Sequence, residues 1–229
     1  MSSDLKLVVF DMDGTLIDSQ LFILEAMRRG FEAAGMEPPS DAETLSIVGL
    51  SLNEAVRALR PALEEAEVPR VAQLYKDSFI RLREEKGGEA AAPMYPGARA
   101  ALDRLHAVDE VLMGVATGKA RRGLDHAFRA HDLARYFLTS QTADEHPSKP
   151  HPSMLEAALA ETGALPRAGV MIGDTEFDVV MAKSAGMAAI GVAWGYHPVE
   201  RLRAAGADLV IESFDALDDA LAEIWRSRL

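Results

Sequence analysis

The residues best suited to chemistry are two aspartates at the end of a short apolar run. Asp11 and Asp13 follow the apolar, β-branched residues 5–10, and Gly14 then interrupts the pattern. The run is typical of a buried strand, and unpaired carboxylates at its end are too costly to bury in an apolar core. We therefore expect both carboxylates to face a crevice at the end of the strand, opposite a cation.

Three further polar segments occupy comparable places along the chain. Thr117-Gly118-Lys119 comes directly after the apolar residues 111–116, and the segment from Gly173 to Asp178 comes directly after residues 169–172. Lys149 precedes a proline in a loop before a predicted helix. Because ligands bind beyond the carboxyl ends of strands in open α/β sheets, we expect these segments to meet around one pocket.

The strand and helix patterns alternate over most of the chain, with one all-helical interruption. Apolar residues recur at helical spacing from about residue 19 to residue 85, and a segment with paired glycines and a proline, residues 86–93, follows. The later alternation indicates a parallel sheet covered on both faces. The predicted strands are residues 111–116, 136–139, 169–172, 188–192 and 208–211, and the predicted helices are residues 98–107, 120–130, 152–162, 176–185, 198–205 and 216–226.

This order predicts an α/β fold, a Rossmann-like parallel sheet core with an inserted all-helical cap domain. The core would comprise residues 1–18 and 93–229, and the cap would comprise residues 19–92. Because the insert begins at the carboxyl end of the first strand, we expect it to cover the pocket.

The composition of the chain limits the classes of partner and the cellular compartment that we expect. The 229 residues include 24 basic and 36 acidic side chains, for a net charge of -12, which repels nucleic acid and anionic membranes. The absence of cysteine excludes a thiolate nucleophile and a cysteine-ligated zinc site. The first apolar stretch is too short for a signal peptide, and no run approaches the ~20 apolar residues of a membrane span. We expect a cytoplasmic protein that binds neither nucleic acid nor membrane.

Together the four polar segments resemble the motifs of the haloacid dehalogenase-like superfamily of phosphohydrolases. The pattern Asp-x-Asp-Gly-Thr-Leu-x-Asp-Ser runs from Asp11 to Ser19, and the pattern Gly-Asp-Thr-x-x-Asp runs from Gly173 to Asp178. Thr117 matches the hydroxyl of the second motif, and Lys149 matches the cation of the third. The helical insert is similar to the cap of the phosphoglycolate phosphatase and β-phosphoglucomutase branch.

This resemblance implies a Mg²⁺-dependent phosphatase of a small phosphorylated metabolite, with phosphoglycolate as the leading candidate. Asp11 would be the nucleophile that forms an aspartyl-phosphate, and Asp13 would protonate the leaving alcohol and then deprotonate water. A general acid supplies only ~10²–10⁴ of the acceleration, so charge neutralisation must supply most of the remainder. The metal ligands would be Asp11, Asp13 through its backbone carbonyl, Asp174 and Asp178, and the phosphate ligands would be Thr117, Gly118 and Lys149.

The residues predicted to determine which substrate is bound lie in the insert. Residues 48–51 interrupt its helical pattern and resemble the glycine-bearing cap loop that reaches toward the site in this branch. Gly49 in this loop, together with Arg81 or Lys76, is predicted to recognise the leaving group. The run Lys119-Ala120-Arg121-Arg122 is interpreted as a solvated helix start, with a basic rim for the substrate as the alternative.

Alternative functions remain open at the level of the sequence. The retained Asp13 favours phosphoester hydrolysis over dehalogenation, because the dehalogenases replace this aspartate with a non-acidic residue. A β-phosphoglucomutase-type phosphotransferase is the first alternative, although the segment Gln20-Leu21-Phe22-Ile23 lacks the histidine typical of that branch. A pyrophosphatase is the second alternative. A catalytically silent anion-binding regulator on the same fold is the third.

Overall fold

A parallel sheet of six strands forms the centre of the molecule. The computed structural model describes residues 5–87 and 92–228. The strands are β1 (Lys6–Phe10), β2 (Val111–Thr117), β3 (Thr139–Thr142), β4 (Gly169–Gly173), β5 (Ala188–Val192) and β6 (Leu209–Ile211). They lie in the order β3-β2-β1-β4-β5-β6, and every pairing is parallel. The predicted parallel α/β fold is confirmed.

Strand β1 occupies the position where the strand order reverses. It pairs with β2 on one side and with β4 on the other, so that Phe10 aligns with both Val115 and Ile172. The loops that follow these three strands therefore open at the same edge of the sheet. In open α/β sheets this reversal creates the crevice in which ligands bind.

A helical insert separates β1 from β2. Its helices are α1 (Gln20–Ala33), α2 (Asp41–Ser46), α3 (Leu52–Leu59) and α4 (Val68–Glu85). The insert has an apolar cluster of its own, in which Phe31, Val56 and Val71 are fully buried. The insert therefore packs around an apolar centre of its own, while Phe22, Ala26 and Leu82 of α1 and α4 join the core cluster beside the sheet.

The remaining helices cover the two faces of the sheet. They are α5 (Ala98–His106), α6 (Arg121–His131), α7 (Ser153–Thr162), α8 (Glu176–Ser184), α9 (Val199–Ala204) and α10 (Leu217–Arg228). Val8 and Phe10 of β1 pack on the side of α5, α6 and α10, whereas Leu7 and Val9 pack on the side of α7, α8 and α9. This alternation is the period of two that a strand buried on both faces requires.

Two chain segments connect the insert to the sheet, and they run side by side. Ile17 forms an isolated antiparallel bridge with Met94, and the Asp18 N–H donates to the Pro93 carbonyl at 2.9 Å. The Tyr95 N–H donates to the Leu16 carbonyl at 3.0 Å. These bonds hold both ends of the insert beside the loop that follows β1.

The third strand lies later in the chain than its predicted position. The prediction placed it at residues 136–139, whereas β3 begins at Thr139 and Tyr136 ends a 3₁₀ turn. The prediction followed the strand preference of aromatic residues. Tyr136 is indeed buried, but it belongs to the turn and not to the strand. The polar sequence of β3, Thr-Ser-Gln-Thr, carries little strand signal. The other predicted strands after the insert end within one residue of the observed ones.

Part of the predicted connection at residues 86–93 lies outside the described residues, because residues 88–91 fall there. Among the helices that the structure describes, none is both long enough and apolar enough to cross a bilayer.

Candidate active site

The loop after β1 turns sharply beneath the insert. Gly14 has a φ of +84°, a backbone conformation that favours glycine. A Cβ atom at this position would lie 2.2 Å from Oδ2 of Asp174. The loop after β1 and the loop after β4 can therefore approach each other only because residue 14 has no side chain. Thr15 closes this contact, since its hydroxyl donates to Asp174 Oδ1 at 2.9 Å.

Three carboxylates converge at the carboxyl ends of β1 and β4. Asp11, Asp174 and Asp178 are each at most 1% exposed, and each offers an oxygen within 4.8 Å of the others. Burial, together with the charges of Asp178 and Asp13, raises the pKa of Asp11 to about 7 against the opposing effect of Lys149. Burial and the charges of Asp11 and Asp178 also raise the pKa of Asp174 well above its usual range.

A lysine brought from a distant loop partly balances this charge. The Lys149 side chain is fully buried, and its Nζ lies 3.0 Å from Asp11 Oδ1 and 2.6 Å from Asp178 Oδ1. Although burial opposes it, the attraction of these two carboxylates raises the pKa of Lys149 above its usual value. Lys149 is therefore a fixed positive charge inside the site.

The charge that remains suits a divalent cation. Three buried carboxylates and one ammonium leave two negative charges, which an ion such as Mg²⁺ would neutralise. Asp11 Oδ1, although close to Lys149, has no well-directed hydrogen bond. Carboxylate oxygens are also the ligands that Mg²⁺ prefers. The residues present therefore fit a magnesium ion.

The two carboxylates of the fourth motif have different surroundings. Asp174 accepts hydrogen bonds from Thr15 and from the backbone N–H of Tyr196. Asp178 uses Oδ1 for Lys149, while its Oδ2 accepts from the N–H and the hydroxyl of Thr175 in a capping box at the start of α8. Asp178 thus positions Lys149 as well as offering a possible metal ligand.

Asp13 pairs with a different lysine from the one that contacts Asp11. Its Oδ1 is 2.8 Å from Nζ of Lys119, and the two side chains are 13% and 11% exposed. Lys119 Nζ also lies 5.5 Å from the ring centre of Phe79 on helix α4. Lys119 is therefore enclosed between the sheet and the insert, so the interpretation of this residue as part of a solvated helix start is wrong.

The loop after β2 carries the second motif. Thr117 is buried, and its Oγ1 accepts a hydrogen bond from the N–H of Lys119 at 3.2 Å. Gly118 is covered by the insert, because a Cβ atom there would lie 2.7 Å from the Gly49 carbonyl oxygen. The loop of residues 47–51 therefore rests directly on the second motif, and Ser51 N–H extends this contact by donating to Ser148 Oγ at 2.7 Å.

Of the residues predicted to recognise the leaving group, Gly49 and Arg81 have different positions, and Lys76 is exposed on α4. Gly49 lies against Gly118 and Thr175 at the edge of the site. Arg81 is exposed on α4, two residues after Phe79, so that it projects from roughly the opposite side of the helix. The structure brings Gly49, but not Arg81, next to the predicted motifs.

The loop after β5 adds residues that the sequence analysis did not identify. Trp194 donates its indole N–H to the Thr15 carbonyl, and the hydroxyl of Tyr196 accepts from the Ser19 N–H. His197 is 2% exposed, and its ring nitrogens contact the Glu176 N–H and the Ser46 carbonyl of α2. The position of this aromatic, polar segment directly after a predicted strand was the available signal.

Comparison with known proteins agrees with this arrangement. A family model described as haloacid dehalogenase-like hydrolase matches residues 8–192. The chain is 34% identical over 211 residues to the protein named "Probable phosphatase IndB" from Dickeya dadantii, covering 91% of this chain and 90% of the relative. It is 27% identical over 227 residues to a phosphoglycolate phosphatase from Vibrio parahaemolyticus, covering 96% of this chain and 97% of the relative.

A solved structure shares the fold over nearly its whole length. The crystal structure of a predicted phosphatase from Clostridium acetobutylicum superposes with a TM-score of 0.84 at 25% identity, covering 96% of this chain and 100% of that one. The match to the family model and the 34% identity over most of both chains confirm the resemblance inferred from the motifs. The protein therefore belongs to the haloacid dehalogenase-like hydrolases.

Proposed function

We propose that this protein is a Mg²⁺-dependent phosphatase that hydrolyses a small phosphomonoester through an aspartyl-phosphate on Asp11. The observation that carries the proposal is the buried cluster of Asp11, Asp174 and Asp178 around Lys149, with Asp13 beside it. Such a site combines a nucleophile, a second carboxylate for proton transfer and fixed positive charge, the combination that phosphoryl transfer needs.

In the first step, an oxygen of Asp11 attacks the phosphorus atom while the bond to the leaving oxygen breaks. Asp13 donates a proton to that oxygen, which leaves as an alcohol. In the second step, Asp13 removes a proton from water as the water oxygen attacks the phosphorus, which releases inorganic phosphate and restores the Asp11 carboxylate. The two aspartates project from the same short loop after β1, so the exchange needs no large movement of the sheet.

The other residues of the site bind and orient the phosphoryl group. When bound, Mg²⁺ would neutralise the carboxylates and hold a phosphate oxygen, and Asp11, Asp174, Asp178 and the Asp13 carbonyl are the groups that could hold it. Lys149 supplies a further positive charge, and Thr117 a hydroxyl donor. The buried position of all these groups strengthens their electrostatic effect, because little water screens them.

Phosphoglycolate is the first substrate to test. The relative from Vibrio parahaemolyticus carries that name, and the contact between the 47–51 loop and the second motif favours a small leaving group that this closed arrangement can enclose. Hydrolysis is favoured over phosphotransfer to a sugar, because Gln20 to Ile23 at the start of α1 contain no histidine.

The proposal is tested by assaying the purified protein against a panel of phosphomonoesters with Mg²⁺ and with a chelator. We expect release of phosphate that requires Mg²⁺ and that Asp11→Asn abolishes. Hydrolysis that survives Asp11→Asn would contradict the proposed role of Asp11. A protein that hydrolyses none of the panel would contradict the phosphatase function and favour an anion-binding regulator.

A further inference from the structure

We propose that Lys119 is a specificity-determining residue, which exchanges its ion pair with Asp13 for a carboxylate on the leaving group of the substrate. This inference rests on the proposed phosphatase function. It would make the enzyme select phosphomonoesters of short hydroxy acids over those of neutral or cationic alcohols.

The position of Lys119 relative to the reacting atoms is the first argument. To protonate the leaving oxygen, Asp13 must lie within about 3 Å of it, and Lys119 Nζ is 2.8 Å from Asp13 Oδ1. The ammonium group is therefore within about 6 Å of the leaving oxygen. A carboxylate attached to the carbon that bears this oxygen lies two covalent bonds away from it, inside the same radius.

The surroundings of Lys119 are the second argument. Its side chain is 11% exposed, and Phe79 of the insert covers its ammonium group at 5.5 Å. Tyr75 and Phe22 pack against Phe79, with ring centres 6.0 Å away in each case. An ammonium group covered by an aromatic ring discriminates charge more strongly than one in water, because the effective dielectric constant is lower.

The distribution of positive charge is the third argument. Lys149 is committed to Asp11 and Asp178 on the phosphoryl side of the site. Lys119 pairs instead with Asp13 at 2.8 Å, the residue that serves the leaving oxygen in the proposed function. Because Asp13 carries the proton that it gives to the leaving oxygen, its ion pair with Lys119 is weakened, and a substrate carboxylate is the natural new partner for the ammonium group.

Three two-carbon substrates that differ in charge test this inference. Phosphoglycolate carries a carboxylate, ethyl phosphate has a neutral leaving group, and phosphoethanolamine carries an ammonium group. In the unaltered enzyme we expect kcat/KM to fall in that order. We expect Lys119→Met to lower the ratio of phosphoglycolate to ethyl phosphate by about 10- to 100-fold, the effect of a hydrogen bond to a charged group.

The same variant should raise the ratio of phosphoethanolamine to ethyl phosphate, because it removes a like charge. General damage to the site would not move the two ratios in opposite directions. Lys119→Arg should restore much of the preference for phosphoglycolate, and Arg122→Met, an exposed residue of α6, is the matched control that should leave both ratios unchanged.

The outcomes separate this inference from the function on which it rests. If the enzyme hydrolyses these esters but Lys119→Met leaves both ratios unchanged, the inference is wrong and the phosphatase function stands. A preference of the unaltered enzyme for phosphoethanolamine would have the same meaning. If the enzyme hydrolyses no phosphomonoester, the proposed function fails and this inference fails with it.

Discussion

At the scale of single residues, Lys149 controls the electrostatics of the site. Its fully buried ammonium group contacts two carboxylates of a three-carboxylate cluster. A buried ion pair contributes little beyond its desolvation penalty, but the loss of one partner leaves an uncompensated charge. The consequence of removing Lys149 is therefore much larger than that of removing a lysine at the surface.

We expect Lys149→Met to lower the free energy of unfolding by about 3–5 kcal/mol in the absence of metal. The matched control is Lys183→Met, because Lys183 pairs with Asp208 at 2.6 Å where both side chains are over 30% exposed, at 37% and 34%. That change should cost at most about 1 kcal/mol. Urea unfolding of both variants measures the difference, and equal losses would contradict a special role for the buried charge.

Sequence reasoning reached the acidic residues of the site more easily than its cations. Asp11 and Asp174 stand directly after strands in long, specific motifs. Lys149 could be assigned to the site only from the resemblance to the family motifs, since a lone lysine before a proline carries no local signal. Lys119 was interpreted as solvated, because its pairing with Asp13 depends on how two loops far apart in sequence meet in space.

At the scale of elements, the loops at one edge of the sheet are fitted closely to one another. Gly14 combines a φ of +84° with direct contact to Asp174, whereas Gly35 in the insert has a φ of +76° and no atom within 4 Å of its hypothetical Cβ. A comparison of substitutions at the two glycines therefore distinguishes the cost of backbone strain from the cost of disturbing the packing between loops.

We expect Gly35→Ala to cost about 1–2 kcal/mol in unfolding free energy, the penalty of a left-handed backbone conformation. Gly14→Ala should cost more and should also reduce phosphatase activity at least tenfold, because the new methyl group displaces Asp174. Chemical unfolding and a phosphatase assay measure the two effects. A Gly14→Ala enzyme that resembles Gly35→Ala in both respects would show that the contact between the loops is dispensable.

The positions of most strands were predictable from the sequence, but their order in the sheet was not. The apolar runs identified five of the six strands closely, because strands buried on both faces are nearly continuous in hydrophobicity. Strand β3 was misplaced, because Thr139 to Thr142 are polar residues at the edge of the sheet. The strand order and the loop after β5 follow from tertiary packing, which no local pattern encodes.

His197 links the loop after β5 to the insert. Its Nδ1 accepts from the Glu176 N–H, which leaves the proton on Nε2 to donate to the Ser46 carbonyl. Burial, and then the charge of Arg201, lower the pKa of His197. A histidine with a lowered pKa contributes stability that is present above its unfolded pKa and is lost as the pH falls through its folded pKa.

We therefore expect His197→Gln to be less stable than the unaltered protein at about pH 7, and this difference to shrink toward about pH 5. Unfolding free energies of both proteins at the two pH values measure the change. His151→Gln, an exposed histidine, is the control and should show no such difference. A gap between His197→Gln and the unaltered protein that stays constant with pH would show that the neutral ring is not what matters.

At the scale of the whole molecule, a strongly acidic protein encloses two lysines beside its candidate metal site. The chain has a net charge of -12, yet Lys149 and Lys119 are both enclosed beside the acidic cluster. A bound divalent cation would complete this arrangement and let an anionic substrate approach a site that the rest of the surface repels.

Binding of Mg²⁺ should stabilise the protein more at about pH 8 than at about pH 5.5. An acid whose folded pKa is raised, as that of Asp11 is raised to about 7, contributes stability below its unfolded pKa that is lost as the pH rises through the folded value. The metal-free protein therefore carries its largest unfavourable charge at the higher pH, where a cation has most to offset. Thermal unfolding with Mg²⁺, and with K⁺ at matched ionic strength, measures this. Equal shifts at both pH values would contradict a metal bound by these carboxylates.

The central claim is that Asp11 becomes phosphorylated during turnover. The direct measurement is a rapid acid quench of the enzyme with Mg²⁺ and a substrate labelled in its phosphoryl group, followed by mapping of the labelled peptide. We expect label on Asp11 within the first turnover, its loss when unlabelled substrate is added, and no label on Asp11→Asn. Turnover without protein-bound label, or label on another residue, would contradict this mechanism.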